Sequence, residues 1–257
     1  MDYKKMMTVA GALICASAMA SVESSVVGYT SNTSGDNFNF VVAPFNAIGY
    51  NTADIQQFKI DDGGAGTIGW GSENFSIWEG LPTVVEGSEF SYWDASMDPS
   101  GEATACYWGD SSMETAVFSI APGQSFVVDC AGDLSFTTSG QVPSEKVEFT
   151  SNDNFNFTGN PFPASIDIQS IKIDDGGAGT IGWGSENFSV WEGLPTVAEG
   201  SEFSYWDASM DPTGEATSCY WGDSSMEPAT FAIPAGQGVV IDCTAGLTIS
   251  IDPPYSL

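Results

Sequence analysis

Residues Lys59–Glu114 read KIDDGGAGTIGWGSENFSIWEGLPTVVEGSEFSYWDASMDPSGEATACYWGDSSME, and Lys172–Glu227 repeat this stretch without a gap. The two stretches differ at only four positions, and each difference preserves the character of the side chain. The differing pairs are Ile77/Val190, Val85/Ala198, Ser100/Thr213 and Ala105/Ser218. A long internal repeat at a constant offset indicates two tandem copies of one folded unit.

The residues around this stretch have the patterns of short strands. Asn37-Phe38-Asn39-Phe40 alternates polar and apolar residues, and Asn154-Phe155-Asn156-Phe157 answers it in the second copy. Clusters of Asp, Gly and Pro interrupt the apolar runs about every ten residues, as turns do. The sequence therefore predicts an all-β protein of two tandem β-sandwich domains, jelly-roll-like, over residues 25–140 and 146–252.

The first twenty residues have the features of an export signal. Lys4 and Lys5 precede the apolar run Met6–Ala16, and Ala18-Met19-Ala20 supplies a cleavage pattern of small residues. We therefore expect residues 1–20 to be a signal peptide and the protein to be secreted or on the extracellular surface. Lipid attachment at Cys15 is the alternative, which Ile14 disfavours because a small residue is needed there. No later run approaches the ~20 apolar residues of a membrane-spanning helix, so no membrane span is predicted.

The charge of the chain restricts its partners. Five Lys and no Arg stand against 34 acidic residues, which gives a formal net charge of −29. Nucleic acid binding depends on basic side chains that displace counterions, so nucleic acid is not an expected partner. An acidic surface keeps a secreted protein soluble and also attracts divalent cations. Glycans or other surface proteins are the partners that remain.

Four cysteines follow the predicted signal peptide, two in each copy at the same separation. Because like copies place their cysteines alike, we expect the disulfides Cys106–Cys130 and Cys219–Cys243. Pairing between the copies is the alternative. No Cys-x-x-Cys motif points to a metal site, and an oxidising exterior preserves disulfides.

The sequence indicates a protein without catalytic activity. It contains no histidine, so Ser-His-Asp and Cys-His catalysis are excluded. The segment Gly63-Gly64-Ala65-Gly66 lacks the Gly-Lys-Ser/Thr ending of a phosphate loop and is interpreted as a turn. A glycosidase needs two carboxylates across a cleft, and no such cleft is evident in the sequence.

Acidic residues crowd one Pro/Gly-containing loop in each copy. Calcium takes six to eight oxygen ligands, and carboxylates in a loop supply them. No cofactor is expected, but calcium is retained as an alternative to simple capping of turns. The candidate ligands are Asp94, Asp98 and Glu102, with Asp207, Asp211 and Glu215 in the second copy.

Tryptophan is the residue type most suggestive of a binding surface, with four residues in each copy. Most of these rings are expected in the core, where one aromatic side chain buries about 150–250 Å². Sugar-binding modules also use exposed Trp rings as stacking platforms beside carboxylates. The candidates for such stacking are Trp70, among glycines, and Trp93, beside Asp94, with their counterparts Trp183 and Trp206.

Two short motifs frame the second copy. Asn160-Pro161-Phe162-Pro163 stands near its start, and the segment from Ile233 to Val240, which reads IPAGQGVV, near its end. Together they resemble a β-rich module of exported surface proteins of Gram-negative bacteria, which opens on GNP[FY]P and ends on PGQGFFV. The first copy departs at Ala43-Pro44-Phe45-Asn46. The resemblance implies an extracellular β-sandwich and carries over no catalytic residue.

The favoured hypothesis is therefore a secreted, non-catalytic surface or extracellular-matrix protein with tandem structural or adhesive modules. The alternative is a tandem carbohydrate-binding protein that uses exposed Trp residues, in which duplication of the site increases avidity.

Overall fold

The computed structural model describes residues 27–48, 50, 52–77, 84–85, 87–191, 194 and 196–256. The predicted signal peptide, residues 1–20, lies outside the described residues, as does Trp78. The prediction of an all-β fold is confirmed, and the architecture is sandwich-like. The helical segments of the described chain are 3-10 turns of three residues. No helix among the described residues has the length and apolar character needed to cross a membrane.

Each repeat forms its own set of antiparallel sheets. The strands of the first repeat are β1 (Val27–Thr33), β2 (Asn37–Val42), β3 (Ala53–Asp54), β4 (Phe58–Asp61), β5 (Trp70–Ser76), β6 (Glu89–Trp93), β7 (Tyr107–Gly109), β8 (Ser119–Ile120), β9 (Ser125–Cys130) and β10 (Ser135–Gln141). They assemble as a five-stranded sheet β2-β9-β5-β6-β7, a three-stranded sheet β1-β10-β4 and the pair β3-β8.

The second repeat reproduces this topology strand for strand. Its strands are β11 (Val147–Thr150), β12 (Asn154–Gly159), β13 (Ile166–Asp167), β14 (Ile171–Asp174), β15 (Trp183–Ser189), β16 (Glu202–Trp206), β17 (Tyr220–Gly222), β18 (Ala232–Ile233), β19 (Gly238–Cys243) and β20 (Thr248–Ile251). The sheets are β12-β19-β15-β16-β17, β11-β20-β14 and β13-β18. The domain limits predicted from the sequence stay a prediction, but no named sheet of the described chain mixes strands of the two repeats.

A separate aromatic core fills each repeat. In the first, Phe75 of the five-stranded sheet stacks on Phe126 with ring centroids 4.2 Å apart. Phe58 of the three-stranded sheet meets Phe126 edge-on at 5.2 Å. Trp108 is fully buried beside them, and its indole N–H donates to the Phe58 carbonyl at 2.7 Å. This bond satisfies the one polar group of the ring, so the large apolar surface is buried without an unpaired donor.

The alternation at the start of each repeat is inverted relative to the usual strand. In β2 the polar Asn39 faces the core side and is 4% exposed, while Phe38 lies on the outer face. The Asn39 amide donates to the carbonyls of Gly35, Asn37 and Val128 and is thereby satisfied. The outer face is apolar because part of it is covered by the other repeat.

The two five-stranded sheets meet through these outer faces. Phe40 is 6% exposed although it lies outside its own repeat's core, and its ring is nearly parallel to that of Phe157, with centroids 6.4 Å apart. The Val42 N–H donates to the Gly236 carbonyl at 2.8 Å. The Asn32 side chain donates to the Ala235 carbonyl at 3.0 Å. Strands β2 and β9 therefore pack on β12 and β19.

Glycines of the second repeat make this approach close. A Cβ built on Gly159 would lie 2.8 Å from Cγ2 of Val42, and one built on Gly238 would lie 2.6 Å from Oγ of Ser125. Val42 and Ser125 occupy the matching positions of the first repeat. The larger side chains of one copy thus fill the space that the glycines of the other leave.

The two motifs that frame the second repeat contact each other. The Asn160 amide donates to the carbonyls of Ala164 and Ile233, and its Oδ1 accepts the Phe162 N–H at 3.0 Å. The Asn160 N–H also donates to the Gln237 carbonyl at 3.0 Å. The motifs therefore form one packed corner of the sandwich.

The disulfides Cys106–Cys130 and Cys219–Cys243 predicted from the sequence are not formed in the structure, where all four cysteines are free. Cys130 ends β9 and Cys106 immediately precedes β7, with β5 and β6 between them. Three strand spacings amount to roughly 14 Å, whereas bridged Cα atoms lie about 4.4–6.8 Å apart. Equal spacing in the sequence did not bring the two cysteines onto neighbouring strands.

Candidate functional site

The predicted stacking residues differ in their exposure. Trp70 and Trp183 are each 62% exposed, whereas Trp93 and Trp206 are half-buried. Trp70 lies opposite Trp93 in the pairing of β5 with β6, and Trp183 lies opposite Trp206 in the second repeat. The structure therefore brings each predicted pair together and leaves one ring of each pair open to solvent.

A β-bulge presents the exposed ring. The register of β5 against β6 shifts between Trp70 and Asn74. Gly69 has a φ of +86°, and a Cβ there would lie 2.9 Å from the backbone nitrogen of Asp94. The Gly69 carbonyl accepts the Asp94 N–H at 2.7 Å, so the bulge is tied to β6 on the side where the ring projects.

A buried carboxylate completes the bulge, and sequence reasoning did not single it out. Glu73 is 5% exposed, and its Oε2 accepts the Gly69 N–H at 3.0 Å while Oε1 accepts the Ser72 hydroxyl at 2.6 Å. Glu186 does the same in the second repeat, with Gly182 and Ser185 as donors. A carboxylate that receives two internal donors stabilises the local loop shape. The sequence signal that could have revealed Glu73 is an acidic residue at a core-facing position of β5.

Trp93 forms the inner part of this surface. A Cβ on Gly71, where φ is +79°, would come within 2.6 Å of the Trp93 ring, and one on Gly109 within 2.9 Å. Because these two glycines have no side chains, the Trp93 ring packs directly against the sheet. The Trp93 indole N–H donates to the Asp110 carbonyl at 3.3 Å. We call Trp70 with Trp93, and Trp183 with Trp206, the two tryptophan faces.

The acidic loop beside each face binds its own backbone. Asp98 Oδ2 accepts the N–H groups of Glu102 and Ala103 at 2.8 and 2.7 Å. Its Oδ1 accepts the N–H of Ser100 at 2.9 Å. Asp94 caps the 3-10 turn Ala95–Met97, since its side chain accepts the Ser96 N–H. These carboxylates act as turn caps, and the second repeat repeats the pattern.

The predicted calcium ligands are accordingly not gathered into a metal site. Among the residues that the structure describes, no group of three or more Asp, Glu, Cys or His side chains is placed to hold a metal ion. Asp94, Asp98 and Glu102, like Asp207, Asp211 and Glu215, belong to the same loops but do not converge. The reason is that the backbone N–H groups of the turns already take up the aspartate oxygens.

These hydrogen bonds favour the charged form of the aspartates. The backbone N–H groups of Ala103 and Ser100 hold the pKa of Asp98 below its usual value. The Thr67 N–H lowers the pKa of Asp62 in the glycine-rich turn. Both carboxylates are therefore ionised at neutral pH, and the loops beside the tryptophan faces carry negative charge.

A lysine and a cysteine lie behind each face. Lys59 donates from Nζ to the Cys106 carbonyl at 2.9 Å, and burial lowers its pKa. The Cys106 thiol lies 3.9 Å from Oδ2 of Asp94, and burial together with that carboxylate raises the thiol pKa. Burial raises the pKa of Cys130 to about 11. Both thiols remain protonated at neutral pH, which makes them poor nucleophiles and poor metal ligands.

A second concave surface lies where the repeats meet, and it was not predicted. A cavity of about 940 Å³ runs along β2 and is closed on its other side by Trp191 and the turn around Gly236. Phe38 and Phe136 also line it. Its only sequence signal was the pair of outward phenylalanines in β2, which looks like an ordinary alternating strand until the second repeat is in place.

Comparison of the chain with protein-family models, with curated proteins and with solved structures finds no match. The tryptophan faces and the cavity between the repeats are therefore the features of the molecule that bear on its function.

Proposed function

We propose that the chain is a secreted, non-catalytic adhesive protein of the cell surface or extracellular matrix. In this proposal the two sandwich-like repeats present the tryptophan faces as equivalent contact surfaces. The observation that carries it is the equal exposure of Trp70 and Trp183, 62% each, on bulges of the same construction. A large apolar ring held in solvent costs solvation free energy, and a partner that covers it recovers that free energy.

The packing of the repeats supports a two-site function. The two faces belong to sheets that are joined through buried contacts of Phe40 and Phe157 and a backbone hydrogen bond at Val42. Two sites on one packed body bind a repetitive surface with high effective concentration, so weak single contacts add up to strong retention. The resemblance of the framing motifs to those of exported bacterial surface modules agrees with this role.

Carbohydrate binding is the second candidate, and a specific observation favours it. Polar groups lie on the same strand pair as each exposed indole: the Ser91 hydroxyl donates to Oδ1 of Asn74 at 2.9 Å, and the Ser204 hydroxyl donates to Oδ1 of Asn187 at 2.9 Å in the second repeat. Flat aromatic rings with nearby amides and hydroxyls suit the apolar face and the hydroxyl groups of a sugar. Glycans are then the partner of the faces, rather than a protein surface.

The test uses beads coated with the mature chain and surfaces coated with polysaccharide or with extracellular protein. We expect Trp70→Ala and Trp183→Ala each to weaken bead retention, and the double variant to remove most of it. Tyr29→Ala is the matched control, because Tyr29 is 76% exposed in the first repeat but lies on β1. Unchanged retention of the double variant would overturn the proposal.

Competition separates the two candidates. If soluble oligosaccharides release the beads and quench the tryptophan fluorescence of the parent, the contact is with glycan. If they do neither while retention still depends on Trp70 and Trp183, the contact is with protein.

A further inference from the structure

The tryptophan faces lie on the same side of their sheets as the interface between the repeats. One row of directly opposed residues crosses the first five-stranded sheet from β2 to β6: Phe38, Asp129, Asn74 and Ser91. Residues directly opposite each other share a face of the sheet, and so do residues two apart along a strand. Trp93, two residues after Ser91, therefore projects from the outer face through which this sheet meets the second repeat.

The contacts between the outer faces relate the repeats by a pseudo-two-fold axis. Each close contact joins a residue to its own counterpart in the other repeat. The pairs are Phe40 with Phe157, Val42 with Gly159, and Ser125 with Gly238. An interface in which one patch contacts the same patch of a like unit is isologous, and a two-fold rotation generates it. The second repeat is therefore turned over relative to the first.

This arrangement turns the two tryptophan faces to different sides of the molecule. Two sheets that pack through their outer faces direct those faces toward each other, so the faces are opposed where β2 and β9 meet β12 and β19. Sheet twist averages about 20–25° per strand, so the two strand spacings from β9 to β6 tilt each tryptophan face by about 45°. Two such tilts amount to about 90°, half of the rotation of about 180° that would turn both faces to one side.

Each tryptophan face extends beyond the region that the other repeat covers, since Trp70 and Trp183 are 62% exposed. The groups beside the exposed ring suit a neutral polysaccharide. Sugar rings with equatorial substituents have an apolar C–H face that lies flat on an indole, and Asn74, Ser91 and Asp129 offer polar partners for hydroxyl groups on the same outer face. The formal charge of −29 repels an anionic polymer.

From these features we infer that the chain cross-links strands of a neutral, β-linked polysaccharide, with one strand on each tryptophan face. The inference rests on the proposed adhesive function with glycan as the partner, and it adds that this partner lies on two sides of the molecule. One extended strand does not lie flat on both faces, because the faces look to different sides. One packed body that holds two strands is a junction of a polymer network.

Light scattering tests the inference, with the mature chain added to soluble hydroxyethyl cellulose, a neutral β-1,4-linked glucan. We expect scattering to rise to a maximum and to fall again in excess chain, when each face of the polymer is taken by a separate molecule. Trp70→Ala and Trp183→Ala are each expected to reduce the maximum by about ten-fold or more. Their apparent affinity for a β-1,4-linked glucose hexasaccharide is expected to fall by only about two-fold, because one of two equivalent sites remains.

An equimolar mixture of Trp70→Ala and Trp183→Ala is the sharpest control, because it contains both tryptophan faces but on separate molecules. We expect it to scatter no more than either variant alone. Tyr29→Ala is the matched control for loss of an exposed ring, since Tyr29 lies on β1 outside both faces, and it is expected to keep the parental scattering.

Three results would overturn the inference. Parental scattering from the mixture of single variants would assign the cross-links to association between chains. Binding of hydroxyethyl cellulose by the parent without scattering, with a loss of about ten-fold or more in affinity for that polymer in each single variant, would place both faces on one strand and leave the adhesive proposal standing.

The third is the absence of any binding of the glucan by the parent. If bead retention on extracellular protein still depends on Trp70 and Trp183 in that case, the adhesive proposal stands with a protein partner. If retention does not depend on them, the adhesive proposal falls as well.

Discussion

The near-identical middles of the two repeats and the drifted strands beside them face different surroundings. Lys59–Glu114 and Lys172–Glu227 carry the tryptophan faces, which both look out to solvent. Strands β2 and β9 differ much more from β12 and β19, and these are the strands that pack on one another. The middles have the same surroundings and nearly the same residues, whereas the interface keeps the ring pair Phe40 and Phe157 but differs where a larger residue of one repeat meets a glycine of the other.

The interface shows what complementarity requires. Gly238 lies against Ser125 and the backbone of Phe40, where a Cβ would come within 2.8 Å of the Phe40 carbonyl carbon. If the second repeat carried the serine of the first, two side chains would compete for one space. A close approach of two sheets therefore tolerates bulk from one side only.

The largest expected effect concerns the equivalent cores. Trp108 and Trp221 are both fully buried, and each donates its indole N–H to a carbonyl of the facing sheet, at 2.7 and 2.8 Å. We expect Trp108→Ala and Trp221→Ala to lower the free energy of unfolding by similar amounts, about 3–5 kcal/mol each. Urea titration followed by far-UV circular dichroism measures both.

Trp70→Ala is the control for this pair, because the ring is 62% exposed and its removal should cost less than about 0.5 kcal/mol. A loss in one repeat that is several times the loss in the other would contradict the equivalence of the two cores.

A smaller effect is expected from making the copies more alike at the interface. Gly238→Ser places in the second repeat the residue that the first holds at Ser125, yet the new Cβ would lie 2.6 Å from the Ser125 hydroxyl. We expect a loss of roughly 1–3 kcal/mol in the free energy of unfolding. A substitution that exchanges a residue of one near-identical middle for its counterpart in the other should instead be neutral. Ser100→Thr, which introduces the residue of the second repeat, is the matched control.

Thermal unfolding of Gly238→Ser and of Ser100→Thr measures the two losses of stability. If Gly238→Ser is as stable as Ser100→Thr, packing of β2 and β9 on β12 and β19 does not restrict the residues of these strands, and complementarity is not the reason for their divergence.

The smallest effect concerns the acidic loops of the middles. The pKa of Asp98 in the folded state is below its usual value, so the folded protein holds this proton less tightly than the unfolded chain does. The resulting stabilisation is present above the ordinary aspartate pKa of about 3.9 and is lost as pH falls through the lower folded value. Asp98→Asn should therefore lower the melting temperature slightly at pH 7.

The difference in melting temperature between Asp98→Asn and the parent should shrink below about pH 4, where the parent's carboxyl becomes protonated. Calorimetric scans over this pH range measure it, with Asp211→Asn as the same test in the second repeat. A difference that stays constant down to the lowest pH would show that the charged form contributes no stability.

Local signals predicted some parts of the structure and not others. The alternations at Asn37–Phe40 and Asn154–Phe157 predicted strands that the structure contains as β2 and β12. No local pattern revealed that β7 covers only Tyr107–Gly109, since the N–H groups of Glu102 and Ala103 in the preceding loop bind Asp98 instead of a neighbouring strand. Of the proposed site residues, the exposure of Trp70 followed from its glycine-rich surroundings.

The sequence by itself determined the β-sheet class and the existence of two equivalent copies, because strand alternation, turn residues and internal identity are local or directly countable. Tertiary structure decided which strands became neighbours, and this separated Cys106 from Cys130 by two strands. It also decided that Phe40 is covered by the other repeat while Trp70 is left in solvent. Burial depends on what packs against a residue, and the second repeat that covers Phe40 is more than a hundred residues away in the chain.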